Sequence, residues 1–380
     1  MDNKKLTVLY IAIDPSLGGS TSSLWNMIDS MKEEVNPIVI FPSVGVGYDF
    51  LKEHGVDCYV FPFNILYQLK KNSLLDVWKH PWRWHYIKKL RCDLACLSFV
   101  KKILRGRKAD IVHTNTSPND VGVLLSKALH AKHVWHVREF GDLDFHMEMY
   151  DGYDSLRKKI NGADARIAIS SVIAKHWQMK EENTFVINNA IRSKADAVFV
   201  QDKEKYVLFS SYFLTKPKGT LRAIEAFDKS RLADEGFTLK LMGNIKDGFE
   251  DELMQTITAT SCQQSIEFIP CQKNVKPYFA KASAFIMASD FEGLGRVTAE
   301  AMFYGCPVIA RANGGTLDIV KDGETGYLFN TVDECASLLR KVCLTDQTDM
   351  ILRAQHFACT HLSQEVYGPK IMKVYKKVMD

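Results

Sequence analysis

No apolar run in this chain approaches the roughly 18 residues that a membrane-spanning helix needs, which excludes a polytopic membrane protein. Low-complexity tracts and short internal repeats are also missing. With 46% hydrophobic and 25% charged residues the composition excludes a disordered or collagen-like chain. The nine cysteines are odd in number and contain no Cys-x-x-Cys pair. Several sit in apolar runs, as Cys306 does in Tyr304-Gly-Cys-Pro-Val-Ile, where a thiol behaves as a small buried hydrophobe. Reduced thiols and a cytoplasmic protein are therefore expected. Net charge is scarce too, since 49 basic against 45 acidic residues leave +4. Taken alone, that argues against a charged partner. Its distribution does not: between Tyr67 and Lys108 twelve Lys and Arg stand against Asp76 and Asp93, a +10 segment beside a −6 remainder.

What is present is 380 residues, enough for two or three domains with real cores. Lys4-Lys5 followed by the apolar stretch 6–13 imitates a secretory signal, but the stretch is short, stops at Asp14-Pro15 and has no Ala-x-Ala site. It reads as a first buried strand. Asn115-Thr116-Ser117 is a formal glycosylation sequon that stays inert in the cytosol. Short β-branched runs then alternate with helical patterns, at 6–13, 37–41, 57–62, 110–113, 133–137, 166–169 and 185–187. A second series lies at 206–209, 239–242, 266–269, 284–287, 307–309 and 326–329. Such alternation predicts an α/β protein with parallel sheets wound in βαβ units. Two series predict two doubly wound domains, 1–195 and 196–362, divided in the polar stretch 190–204.

In such sheets ligands bind beyond the carboxyl ends of strands, so those loops are the candidates for chemistry. After the first strand, Gly18-Gly19 lead into a helix from about Ser22, and backbone N–H groups there can approach an anion. The pattern falls short of GxGxxG and of GxxxxGK[ST], and reads equally as a turn needing glycine at positive φ. His113-Thr-Asn115 and His136-Val-Arg138-Glu139 follow the fourth and fifth strands, making His113, Asn115, His136 and Arg138 cleft candidates. In the second half, Glu292 lies in a glycine-containing loop and Glu300 two turns into the following helix. That spacing suits opposed glycosidase carboxylates poorly, and better suits binding the hydroxyls of a ligand along the helix. Asn313-Gly314-Gly315-Thr316 forms a second strand-to-helix glycine loop.

The phrase EGLGRVTAEAMFYGCPVIARANGGTLDIVKDGETGYLF, starting at Glu292, resembles the C-terminal half of the retaining GT-B glycosyltransferases of family 4, the group 1 type. Lys218-Gly219, opening a helix after 206–209, agrees with it. Gly18-Gly19, Ala109-Asp-Ile-Val-His-Thr-Asn and Val134-Trp-His136-Val-Arg-Glu extend the likeness to the first half. The resemblance implies two Rossmann-like domains facing a cleft, with a last helix, 363–380, crossing back to the first. It implies sugar transfer from a nucleotide-sugar with retention of anomeric configuration. Glu292 would meet the sugar hydroxyls, Glu300 the ribose hydroxyls, and Lys218 the pyrophosphate. The backbone of Gly293, Leu294, Gly295 and Val297 would hold sugar and phosphate, Gly18 and Gly19 would close on the phosphate, and His136 would lie near the reacting sugar. Neither a metal nor a cofactor is then expected. One departure stands out: the family places Gly-Arg about five residues before the lysine, where this chain has Ser211-Tyr212-Phe213-Leu214. Lys216 is the expected replacement, as a point charge without the guanidinium fork.

The basic segment 67–108 also holds Trp78, Trp82, Trp84 and Tyr86, a mixture suited to an anionic membrane surface. The alternative is a pair of ordinary surface helices. A lipid-linked or oligosaccharide acceptor and attachment at the inner membrane face are the expectation, and nucleic acid is not, because no recognised binding motif accompanies the charge. Three competing readings remain: a nucleotide-sugar epimerase or phosphorylase, a non-catalytic nucleotide-sugar-binding partner, and a metal site at Asp142-Leu-Asp144.

Overall fold

A computed structural model describes residues 5–63, 66–69 and 82–380. The expectations for Trp78, Lys70, Lys71 and Lys79 lie outside them. Chain contacts divide into two units, Met1–Ala190 with Tyr367–Asp380, and Ile191–Val366. Among the described residues no helix is long and apolar enough to cross a membrane.

The first unit carries β1 (Leu6–Ala12), β2 (Val35–Phe41), β3 (Asp57–Val60), β4 (Tyr67–Leu69), β5 (Ile111–Asn115), β6 (Lys132–Val137), β7 (Met147–Met149), β8 (Ala165–Ala168) and β9 (Thr184–Val186). Seven of these form a sheet in the order β3-β2-β1-β5-β6-β8-β9, every pair parallel. Period-2 alternation sorts its side chains: Val8, Tyr10 and Ala12 point into one core, Leu9 and Ile11 into the other. The first core is closed by Tyr367, Ile371, Met372, Val374, Tyr375 and Val378 of the last helix, Gln364–Met379. The second is closed by Cys96, Val100, Ile103 and Leu104 of the long helix Trp82–Leu104. β4 and β7 pair antiparallel as a separate ribbon. The sequence reading missed both, because Tyr67-Gln-Leu and Met147-Glu-Met each interrupt the apolar pattern with a polar residue and contain no β-branched side chain.

The second unit carries β10 (Glu204–Leu214), β11 (Thr238–Ile245), β12 (Ile266–Ile269), β13 (Ala282–Met287), β14 (Val308–Arg311) and β15 (Tyr327–Phe329). They form one parallel sheet in the order β12-β11-β10-β13-β14-β15. In each sheet the winding reverses once, between β1 and β5 and between β10 and β13. At such a switch the helices that follow the two neighbouring strands cover opposite faces of the sheet, which leaves a crevice at the carboxyl ends. All thirteen runs expected from the sequence are strands here. All nine cysteines are free thiols, five of them buried.

Candidate functional site

In the second unit the switch point decides which loops meet. β10 and β13 are neighbours, so the loop 215–219 leaving one lies on the loop 288–295 leaving the other. Asp290 N donates to Pro217 O at 2.8 Å. Gly219 makes this approach possible: its φ is +80°, and a Cβ there would lie 2.0 Å from Ala288 O. With the loops so docked, Lys218 Nζ donates to Glu292 Oε1 at 2.8 Å. A cation and a carboxylate separated by 74 residues are thus paired at the start of the helix Arg296–Phe303. The helix is entered through Gly295 at φ +88°, and its first turn contains no acidic residue to cancel the positive end of its dipole.

The second glycine loop locks against the first. Gly315 N donates to Glu292 O at 2.7 Å, and a Cβ on Gly315 would come within 2.2 Å of Gly293 O. Gly314, at φ +62°, has Glu292 O 2.5 Å from where its Cβ would lie. Leu294 is buried beneath, and Val297 is half-buried on the first turn of the helix. Further along that helix Glu300, 8% exposed, is held by Arg192 Nη2 at 2.8 Å and Arg296 Nε at 3.5 Å. Hence Lys218, Glu292 and Gly293 to Val297 share one loop cluster, with Glu300 on the helix that leaves it.

Three residues that shape this cluster, Arg222, Asp290 and Arg311, were given no role by the sequence. Asp290 receives Arg222 Nη2 at 2.9 Å and an ion pair from Arg311 Nη1, and its carbonyl accepts from Asn313 Nδ2. A charged residue ending an apolar strand, as Arg311 does in Val-Ile-Ala-Arg, was the available signal. The place where the family carries Gly-Arg is filled by Tyr212 and Phe213. Their rings are 67% and 46% exposed and meet edge to face, with centroids 4.8 Å apart. Lys216, the expected replacement cation, is instead paired with Glu252 Oε1 at 2.6 Å.

In the first unit the loops after β1, β5 and β6 carry the other candidates. Gly18 and Gly19 are not at positive φ; Gly18 takes φ −71° and caps the helix Gly19–Asp29. A Cβ on Gly18 would meet Asp14 Oδ2 at 2.8 Å, whereas Gly19 faces open space. Asn115 Nδ2 reaches across the switch point to Ser20 O at 3.5 Å. Arg138, 7% exposed, donates from Nε to Asn115 Oδ1 at 2.8 Å and from Nη1 to Asn189 Oδ1. Its Nη2 lies 3.3 Å from His136 Nδ1. A guanidinium only donates, so Nδ1 accepts and the single imidazole proton sits on Nε2. That Nε2 is buried and has no partner among the described residues.

His113 stands beside it, with ring centroids 5.4 Å apart and its Nδ1 2.8 Å from Tyr375 Oη. Tyr375 in turn donates to Tyr10 Oη at 3.2 Å. Burial, then the charge of Arg138, holds both imidazoles well below the usual histidine range. His113, Asn115, His136 and Arg138 therefore form one connected polar network, which sequence could not join to Tyr375, 262 residues away. Burial pushes Glu139 up to about 7, opposed by hydrogen bonds from Ser117 N and Oγ at 2.6 Å each. The carboxylates of Asp142 and Asp144 are occupied locally. Asp144 accepts from Phe140 N and Gly141 N, and Asp142 accepts from Leu143 N and lies 3.0 Å from His176 Nε2.

The family model for glycosyl transferases group 1 matches residues 191–355, nearly the whole second unit. A sulfoquinovosyl transferase of Arabidopsis thaliana is 39% identical over 79 residues, covering 20% of this chain and 16% of that protein. The N-acetyl-alpha-D-glucosaminyl L-malate synthase of Bacillus anthracis is 22% identical over 303 residues, 75% of this chain and 78% of its own. Among solved structures, Anabaena HepE in complex with UDP superposes with a TM-score of 0.80 at 19% identity, over 98% of this chain and 100% of that one. That likeness is one of fold: two parallel-sheet α/β units of the GT-B type.

Proposed function

We propose that this protein is a metal-independent, retaining glycosyltransferase that moves a sugar from a nucleoside diphosphate sugar to a saccharide or lipid-linked acceptor in surface polysaccharide or glycolipid synthesis. The observation that carries the reading is the pairing of Lys218 with Glu292 at the N-terminal end of the helix bearing Glu300, inside the segment that matches the group 1 family. Departure of a nucleoside diphosphate builds negative charge, which Lys218 Nζ and the helix N–H groups would stabilise as the sugar gains oxocarbenium character. Glu292 would then leave Lys218 to bind sugar hydroxyls. His136 is kept neutral with its proton on Nε2, a state that would let it donate to a sugar oxygen without adding a cation beside an electron-poor ring. UDP is the first base to test, because HepE, which shares this fold, is described in complex with it. The exposed apolar stripe Ile87, Leu90 and Leu94 beside Lys88, Arg91, Lys101 and Lys102 supports docking of the first unit on an anionic membrane face.

The test is a thermal-shift screen against UDP-, GDP-, ADP- and TDP-sugars, followed by turnover of the stabilising donor with and without EDTA. One donor is expected to raise the melting temperature and to be turned over in EDTA, giving product of unchanged anomeric configuration. Glu292→Gln and Lys218→Ala should each lower turnover by about 10²–10³. Absence of turnover with every donor, or turnover unaffected by both changes, defeats the proposal. Conversion of the donor to its epimer without acceptor selects the epimerase instead.

A further inference from the structure

Glu300 does not stand alone on its helix. Arg192 and Arg296 both approach the same oxygen, Oε1, at 2.8 and 3.5 Å, and no described residue bonds Oε2. Arg296 is four residues away on the same helix and 38% exposed, so its contribution is that of an ordinary surface pair. Arg192 is different. It comes from 108 residues earlier in the chain and its backbone is fixed on both sides: Ile191 N donates to Leu362 O at 2.9 Å, and Arg192 O accepts from Gln364 N at 3.0 Å. Its guanidinium lies over the ring of Tyr304, 5.9 Å from the centroid. Its backbone is therefore anchored, and an aromatic ring backs its guanidinium, although its side chain is 30% exposed.

We propose that Arg192 is a positioning residue for the ribose of the nucleotide: it pins Oε1 of Glu300 so that Oε2 is presented to a ribose hydroxyl. This rests on the reading of Glu300 as the ribose-binding carboxylate. A free carboxylate in this position rotates about its terminal torsion and meets a hydroxyl in many orientations, each costing rotational entropy to select. With one oxygen fixed by a charge-assisted hydrogen bond, the other points in one direction before the ligand arrives. The effect belongs to the sugar hydroxyls and to no other part of the nucleotide. A merely structural role for Arg192 would weaken ribonucleotide and deoxyribonucleotide binding alike.

Isothermal titration of the full-length protein with UDP, GDP and ADP and with their 2′-deoxy counterparts separates the possibilities. Wild type is expected to favour the ribonucleotide by about tenfold or more. Arg192→Gln should lose most of that preference while its affinity for the deoxynucleotide stays within about threefold of wild type, and Arg192→Lys should recover part of it. Glu300→Gln should lose it as well. No preference in wild type, or a preference that survives Glu300→Gln, overturns the reading of Glu300. A preference abolished by Glu300→Gln but intact in Arg192→Gln overturns the role of Arg192, as does an equal loss of affinity for both sugars. If Arg192→Gln does not fold, the lysine variant decides: wild-type discrimination there refutes the need for the guanidinium.

Discussion

At the scale of single residues, chemistry here is governed by burial as much as by residue type. Eleven histidines share one intrinsic affinity for protons, yet His113, His133 and His136 are set apart by desolvation. His133 accepts or donates across 2.9 Å to Thr114 Oγ1 and is pushed down to about 4. A depressed histidine binds fewer protons folded than unfolded, so the stability it contributes is complete above its unfolded value near 6.5. It is lost as pH falls through the folded value. For His133 that window runs from about 6.5 to about 4. Histidine-labelled NMR should therefore show three imidazoles, those of His113, His133 and His136, that stay neutral from pH 8 to 5. If His133 and His136 titrate near 6.5, the neutral-donor role of His136 falls. The sequence singled out Lys218, Glu292, Glu300 and His136 as candidates. It did not single out Arg192 and Asp290, because an arginine or aspartate in a polar stretch carries no sign of the partner it will meet.

At the scale of elements, the glycine loops show why a pattern of small residues needs a structure to interpret it. Gly18-Gly19 and Gly314-Gly315 look alike as sequence, each a pair between strand and helix. Gly315 has Gly293 O where its Cβ would be, and Gly19 has nothing within 4 Å. Gly315→Ala must therefore push apart the two loops that carry Glu292, at a cost of about 1–3 kcal/mol in stability. It should weaken nucleotide binding at least tenfold. Gly19→Ala, at the first position of a helix, should leave stability unchanged or slightly raised. Melting temperature and nucleotide affinity of the two variants check this; equal effects would mean that the 292–295 and 313–315 loops do not depend on each other. The last helix shows the same dependence on context. Its amphipathic pattern was evident, but only the fold places Tyr375 on His113 and lets Gly368 approach Ser30 O, where a Cβ would come within 2.6 Å.

At the scale of the whole molecule, part of the charge of the +10 segment is matched by carboxylates of the fold. Lys89 is spent internally, 2.5 Å from Asp93 and 2.8 Å from Asp120, and Arg107 lies 3.6 Å from Asp57. Among the described side chains of the helix Trp82–Leu104, Lys88, Arg91, Lys101 and Lys102 are exposed around the Ile87, Leu90 and Leu94 stripe, while Cys96, Val100 and Ile103 face the core. At about 1 kcal/mol for each cation near an anionic surface, reversing Lys101 and Lys102 to Glu should weaken sedimentation with anionic liposomes by tenfold or more. Binding should also fall steeply with salt. Equal partition onto neutral and anionic vesicles, or none at low salt, removes membrane docking from the proposed function. The sequence by itself determined the alternation of strands and helices, the two parallel series and the faces that each strand buries, because period 2 and period 3.6 are local properties of the chain. Strand order is not local. It depends on which crossover packs where, and it alone put β10 beside β13 and so Lys218 against Glu292. The tertiary structure likewise decided which cations face solvent and which are matched inside, since that follows from packing between residues far apart in the chain.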